Sequence, residues 1–524
     1  MKFLEIYKTV SKKEWLFVSI FTLLVIVITL IPPLFAYFQQ PEGKVYVGIH
    51  YQNTGDWDVY YSYIEQVKQG HFLLINSLTS EIQGPVFFNP VWIIPGLLAR
   101  YLNLSSIVSF QITRIICIPV FTFFAYIFLS YFFKDRSKRQ VCFLLLLFAG
   151  GFGEYSMLAD GFTFLTLNFS PHLIIALILM ILSFLFLLLS WENNLIKYSI
   201  LAGIFSFILF LVQPFVIPII YLAPFVFIFI NIILNKKNKI IYLKHYIIFF
   251  IASLPSAVYY LFLVISNSAV KMYQVQNTLL SPSLWQYFLA YGFLTILTII
   301  GFKPIIYSKE NKNYFIVVWF AVNVLLLYGP FNFQKRLVEG LHVPIVLIST
   351  YGLFYLYFVL KKIFKRDSFD WIIKSFLFWL CLVLLPWSSL NMLAKNIYFY
   401  PAGYLDKDQY EAIIWLKKET RETDIILSTY HIGNVVAGQT GRQVYLGHGI
   451  QTINSVEKIK LVEWFYGSDD DILNKIKFLK DNKIDYIFYG EGEKKFGGFN
   501  PENLNNLKRV YNNGETSIFK VINI

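Results

Sequence analysis

A chain of 524 residues with 56% hydrophobic, 19% aromatic and only 15% charged residues is too apolar for a water-soluble fold, in which about 25% of residues are charged. Its mean hydropathy of +0.56 calls for a bilayer as solvent. The net charge of +13 would suit a nucleic-acid partner in a soluble protein; here most of the excess lies in short loops between apolar runs, as the positive-inside rule expects, so no nucleic acid is expected.

The chain opens with Lys2, Lys8, Lys12 and Lys13, followed by an apolar run from Trp15 to Phe38. That run is longer than the apolar region of a cleavable signal and ends in Gln39-Gln40-Pro41, so it reads as a retained first span. Further runs near 106–133, 139–156, 171–191, 196–213, 214–234, 243–265, 284–302, 313–329, 342–361 and 370–392 bring the expectation to about eleven spans. Gln213-Pro214 divides the run from 196 to 234 into two short helices, because proline has no amide proton to continue the ladder. The segment 86–104 mimics a span, yet it carries several prolines and is short. It is expected to lie along the membrane surface, as is an amphipathic helix at about 57–70.

This assignment sorts the charges. With the N-terminus inside, the inner loops hold Lys134, Arg136, Lys138, Arg139, Lys197, Lys236, Lys237, Lys239, Lys244, Lys303, Lys309, Lys312, Lys361, Lys362, Lys365 and Arg366. The outer loops hold Lys44, Lys68, Arg100, Lys271, Lys335 and Arg336. The asymmetry predicts a multi-pass protein of the cytoplasmic membrane, with a cytoplasmic N-terminus and an extracytoplasmic C-terminal part. A membrane domain over 1–395 is then followed by a soluble domain over 396–524. In that tail, helices at Gln409–Glu419 and Asp470–Asn482 alternate with strands at 424–428, 444–447 and 484–490, which predicts a small α/β domain. Cys117, Cys142 and Cys381 fall in apolar runs and offer no disulfide framework.

The first outer loop carries the chemistry. In Gly55-Asp56-Trp57-Asp58-Val59-Tyr60-Tyr61, Asp56 stands where a helix would begin, a good N-cap position, and Asp58 lies in its first turn. A carboxylate there can act as general base toward a hydroxyl. The alternative is structural: Asp56 caps the helix and Asp58 suits its dipole.

This acidic element after the first span, the aromatic amphipathic helix and the proline-containing segment that follows together resemble the GT-C glycosyltransferases, nearest to the protein O-mannosyltransferase and aminoarabinose-transferase-like branch. The tail elements Trp415-Leu416-Lys417, Gly441-Arg442 and Gly447-His448 resemble C-terminal domains of bacterial members. The resemblance implies a polytopic GT-C fold and a polyprenyl-phosphate-linked sugar as donor. It implies a glycan, lipid or protein acceptor, and a catalytic aspartate in the first outer loop, matched first by Asp58 and second by Asp56. It implies substrate contacts at Glu154 and His172, with Tyr61 and Glu339 as further candidates. No cofactor is fixed by it, and a divalent metal stays open. His172 has the alternative of capping the next span.

Gly329-Pro330-Phe331-Asn332-Phe333-Gln334-Lys335-Arg336 places two cations against the charge bias. An arginine fork suits phosphate and stabilises charge as it develops, so Arg336 is the candidate for the donor phosphate, with Lys335 beside it. An Arg336–Glu339 pair bracing a helix start, or snorkelling to headgroups, is the structural alternative. His431 and His448 in the tail lack a third ligand at a set spacing and make no zinc signature. Neither a Walker sequence nor a dinucleotide fingerprint is present. Two other classes compete with the enzyme: a transporter or flippase for lipid-linked saccharides, and a non-catalytic envelope-assembly protein.

Overall fold

The computed structural model describes residues 2–49, 55–152, 159–234, 239–364, 367–379, 386–398, 403–468 and 472–522. These divide into two compact units. One comprises Met1–Leu30, Arg114–Leu261 and Thr278–Ala394; the other comprises Ile31–Thr113, Phe262–Asn277 and Lys395–Ile524.

The first unit is built of apolar helices. Across the described chain, six helices are long and apolar enough to cross a membrane: Lys12–Phe38, Ser106–Phe132, Pro171–Asn193, Pro214–Ile233, Lys239–Ser266 and Gln334–Ile363. A seventh is counted if Leu284–Tyr291 and Phe293–Ser308 form one broken span. The single span expected at 284–302 is thus corrected to a pair bent by 95° around Gly292. Three other expected spans do not reach spanning length as continuous helices, and a fourth is described only in part. Ile196–Val212 and Asn311–Leu326 are apolar but short. The helix expected at 139–156 runs only from Arg136 to Phe148 before 153–158, which lie outside the described residues. The one expected at 370–392 is present as Asp367–Trp379 and Trp387–Tyr398, separated by 380–385, also outside them. The expected break at Gln213-Pro214 is found: the helix ends at Val212 and a 3₁₀ turn, Pro214–Val216, leads into Ile217–Ile233.

Within lipid, helix pairing depends on close packing and internal polar bonds rather than on apolar burial from water. Ser206 donates to Ser183 at 3.0 Å between Ile196–Val212 and Pro171–Asn193. Thr298 and Ser349 hydroxyls are 2.9 Å apart between Phe293–Ser308 and His342–Ile363. The Phe184 and Trp319 rings meet edge to face at 4.7 Å.

The second unit combines the first loop with the tail. Strand β1 (Lys44–Tyr46) pairs antiparallel with β2 (Tyr404–Asp406). The remaining strands are β3 (Ile425–Leu427), β4 (Gln443–Val444), β5 (Tyr486–Tyr489), β6 (Leu507–Asn512) and β7 (Ser517–Val521), in the sheet order β4-β3-β5-β7-β6. Strands β4, β3 and β5 are parallel; β7 and β6 complete the sheet antiparallel. Leu427, Phe465, Tyr466, Leu479, Ile487 and Phe519 form the core under this sheet. The segments expected at 57–70 and 86–104 hold the helices Asp56–Gln69 and Pro90–Tyr101, the latter capped by the Asn89 side chain.

Helix Asp56–Gln69 is packed on two sides. Tyr60 stacks on Trp92 at 5.0 Å, and Trp57 meets Phe110 edge-on at 5.5 Å, contacts worth about 0.5–1.5 kcal/mol each beyond area burial. Another side meets helix Tyr430–Thr440, where Gly438 lies against Asp58. A Cβ on Gly438 would come within 2.5 Å of Asp58 Oδ1, so glycine is required for this approach.

Candidate active site

In the second unit, Gly55 precedes the helix and Asp56 is its first residue, with no side-chain cap. The N-cap expected of Asp56 is therefore corrected. Its carboxylate turns to the tail, where Oδ1 lies 3.2 Å from His448 Nε2, and it keeps 21% of its side-chain surface exposed. Asp58 is fully buried, and neither carboxylate oxygen has a hydrogen-bond partner among the described residues. Burial pushes its carboxyl well above the ordinary carboxylate range. Tyr61 is also fully buried and donates to the Gly48 carbonyl at 2.7 Å. One turn further on, buried Glu65 pairs with Lys417 at 2.7 Å and accepts from the Ser106 hydroxyl, a second tie between first loop and tail that sequence reasoning did not single out.

The first unit holds the basic element. Lys335 and Arg336 sit on the 3₁₀ turn Gln334–Val338. The Lys335 amide donates to the Leu279 carbonyl at 2.9 Å, and the Gln334 side chain accepts from Ser281 and donates to Gly329. Asn323 secures the other end, donating to the carbonyls of Leu337 and Glu339 at 3.0 and 3.2 Å. The Arg336 guanidinium lies 5.7 Å from the centre of the Phe215 ring, a cation–π contact. Glu339 is buried and accepts from Gln213 at 2.7 Å, while Asp160 and Arg336 act on it through space. Asp160 and Arg336 also act on Lys335. One mixed cluster thus gathers Asp160, Lys335, Arg336 and Glu339, and the Gln213 that marks the predicted helix break is part of it. Asp160 lay in the sequence beside Glu154, but nothing in its spacing tied it to the basic turn.

His172, second residue of helix Pro171–Asn193, has Nδ1 2.6 Å from the Ser170 hydroxyl, a contact local to that helix start. Glu154 lies outside the described residues. His342, which sequence reasoning passed over, is buried and holds Thr163 through Nδ1 at 2.8 Å. Arg114 was also missed. It is buried within helix Ser106–Phe132 and donates to the carbonyls of Leu167 and Thr29 at 3.0 and 3.2 Å. Among the described residues, no set of three His, Cys, Asp or Glu side chains could hold a metal ion. The Asp56–His448 pair alone falls short of a metal site.

No protein-family model matches this chain. No curated protein matches it either. Solved structures do. The archaeal oligosaccharyltransferase AglB from Archaeoglobus fulgidus, in complex with an inhibitory peptide and a dolichol-phosphate, superposes with a TM-score of 0.56 at 12% identity, over 88% of this chain and 69% of that one. The same oligosaccharyltransferase in complex with Zn and sulfate gives 0.55 at 12% identity, over 88% and 67%. ArnT from Cupriavidus metallidurans, bound to undecaprenyl phosphate, gives 0.53 at 10% identity, over 97% of this chain and 98% of that one. The chain has the GT-C fold. At such identities the likeness concerns architecture alone.

Proposed function

We propose that this protein is a membrane glycosyltransferase that moves a sugar from a polyprenyl-phosphate donor to an acceptor hydroxyl outside the cytoplasmic membrane. What carries the reading is the GT-C fold, shared with ArnT across 97% of the chain, joined to a partly open carboxylate, Asp56, at the start of the first-loop helix. The structural neighbours bind dolichol-phosphate and undecaprenyl phosphate, which supports a lipid-phosphate donor here. The acceptor is a glycan, a lipid or a protein. The arrangement proposed is about eleven passes over 1–395, with the N-terminus cytoplasmic and the domain over 396–524 extracytoplasmic; the loop-charge asymmetry supports it.

The step is a direct displacement. The acceptor oxygen attacks the anomeric carbon and its proton passes to a carboxylate. The bond between that carbon and the phosphate oxygen breaks, and polyprenyl phosphate leaves with its charge met by Arg336 and, beside it, Lys335. Asp56 is the better base of the pair. Its side chain remains partly open, whereas Asp58 is buried beneath Gly438 and favours its protonated form. Asp58 then serves as a packing group. Glu339, held by Gln213, sets the charge balance around Arg336; His172, Glu154 and Tyr61 complete the proposed substrate surroundings. No step is routed through a metal, since the described residues do not assemble a ligand set.

Purified protein in liposomes, supplied with labelled polyprenyl-phosphate sugars and candidate acceptors, tests this. Formation of a new glycosidic bond is expected. Labelled donor crossing the vesicle without bond formation would instead establish a flippase. That rival would need ionisable groups along a path through the spans, and the same assay tells it apart.

A further inference from the structure

The tail segment Gly447-His448-Gly449 has no part in the reaction described so far, yet its imidazole is fixed from both edges. Nδ1 accepts from the backbone amides of Ile450 and Gln451, each at 3.2 Å. A ring nitrogen that accepts does not carry the proton, so the neutral ring is protonated at Nε2. That nitrogen lies 3.2 Å from Asp56 Oδ1. The loop is itself braced. Gln276 donates to the carbonyls of Ile450 and Thr452 at 3.1 and 2.9 Å and accepts from the Asn454 amide at 2.9 Å. The Thr452 hydroxyl accepts from the Gly447 amide at 3.0 Å. Gly55 completes the fit: a Cβ there would collide with Cδ2 of the His448 ring and come within 3.0 Å of Nε2. A side chain at 55 would push the ring off Asp56.

We infer that His448 is a positioning residue for Asp56: its Nε2 proton is donated to the carboxylate and fixes the rotation of the group that takes the acceptor's proton. This rests on the reading of Asp56 as base. The donor is charge-assisted and belongs to a rigid loop, so the carboxylate is held in one geometry before the acceptor arrives. The tail thereby contributes to the reaction through the first loop, rather than only through its own surface.

Two readouts separate this inference from the transfer reading beneath it. Nitrogen NMR of full-length protein labelled with ¹⁵N-histidine, with His448 assigned by its loss in H448Q, reports the tautomer. A protonated Nε2 whose signal moves in D56N is expected; a proton on Nδ1, or no response to D56N, overturns the inference. Transfer from a panel of polyprenyl-phospho-hexoses and -pentoses reports the chemistry. H448A is expected to lower kcat by about tenfold to a hundredfold with donor KM unchanged. H448Q, whose amide can replace the Nε2 donor, recovers most of that loss. G55A falls with H448A although both side chains remain. Full kcat in H448A and G55A, or a loss in H448Q that added Mn²⁺ reverses, overturns positioning. If the wild type transfers nothing while the tautomer and its response to D56N hold, the transfer reading falls and the His448–Asp56 bond stands.

Discussion

At residue 58 the helix turns a carboxylate toward Gly438, and no described donor reaches either oxygen; two residues earlier, Asp56 meets an imidazole and keeps some exposure. The family resemblance ranks Asp58 first and Asp56 second as base; burial of the one and the His448 contact of the other reverse that order in the proposed mechanism. Asp58 gives a pH-dependent signature whose sign follows from its raised pKa. Its contribution to stability is fully present below the unfolded value of ~3.9 and is lost as pH rises through the folded pKa. Asp58→Asn removes that titration. Thermal unfolding in detergent should therefore show the variant gaining on the wild type by a few degrees between pH 4 and pH 7; a constant difference would show that folding does not raise the Asp58 pKa. Asp56→Asn should lower kcat of transfer about 10²- to 10⁴-fold, the range of a lost general base, with folding intact by the same melt. Arg336→Ala should cost at least about tenfold in kcat, and Arg336→Lys should recover only part of it, because lysine keeps the charge and loses the fork.

The helix Asp56–Gln69 was legible from its apolar spacing, as was Pro90–Tyr101 from its prolines and short apolar length. Helix Tyr430–Thr440 was not. Gly433 and Gly438 lower its helix propensity, and the reason for them lies outside the segment: side chains there would meet the Leu446 carbonyl and Asp58. The β6–β7 hairpin had a local signal in Asn513-Gly514, a turn pair that sequence reading passed over. Asp56 was misplaced as a cap because its partner, His448, is remote in sequence. Gly438→Ala tests the close approach. Its added methyl should destabilise the protein by about 1–3 kcal/mol, read as a lower unfolding midpoint in denaturant, whereas an unchanged midpoint would mean that the two helices can move apart at no cost.

At the scale of the whole molecule, composition made the membrane class and the helical fold legible, since no other solvent accommodates such a chain. The number of passes was less legible, because short apolar helices such as Ile196–Val212 and Asn311–Leu326 resemble spans in sequence and fall short in length. Orientation is open to a direct check. Cysteine placed at Lys508 in the tail should react with a membrane-impermeant maleimide in intact cells, and cysteine at Lys134 only after lysis; the reverse pattern would invert the topology. The proposed reaction further requires that the donor phosphate reach Arg336. A cryo-electron microscopy structure with undecaprenyl phosphate tests that requirement most directly. The phosphate is expected within about 3 Å of the Arg336 guanidinium; a phosphate held elsewhere would contradict the mechanism.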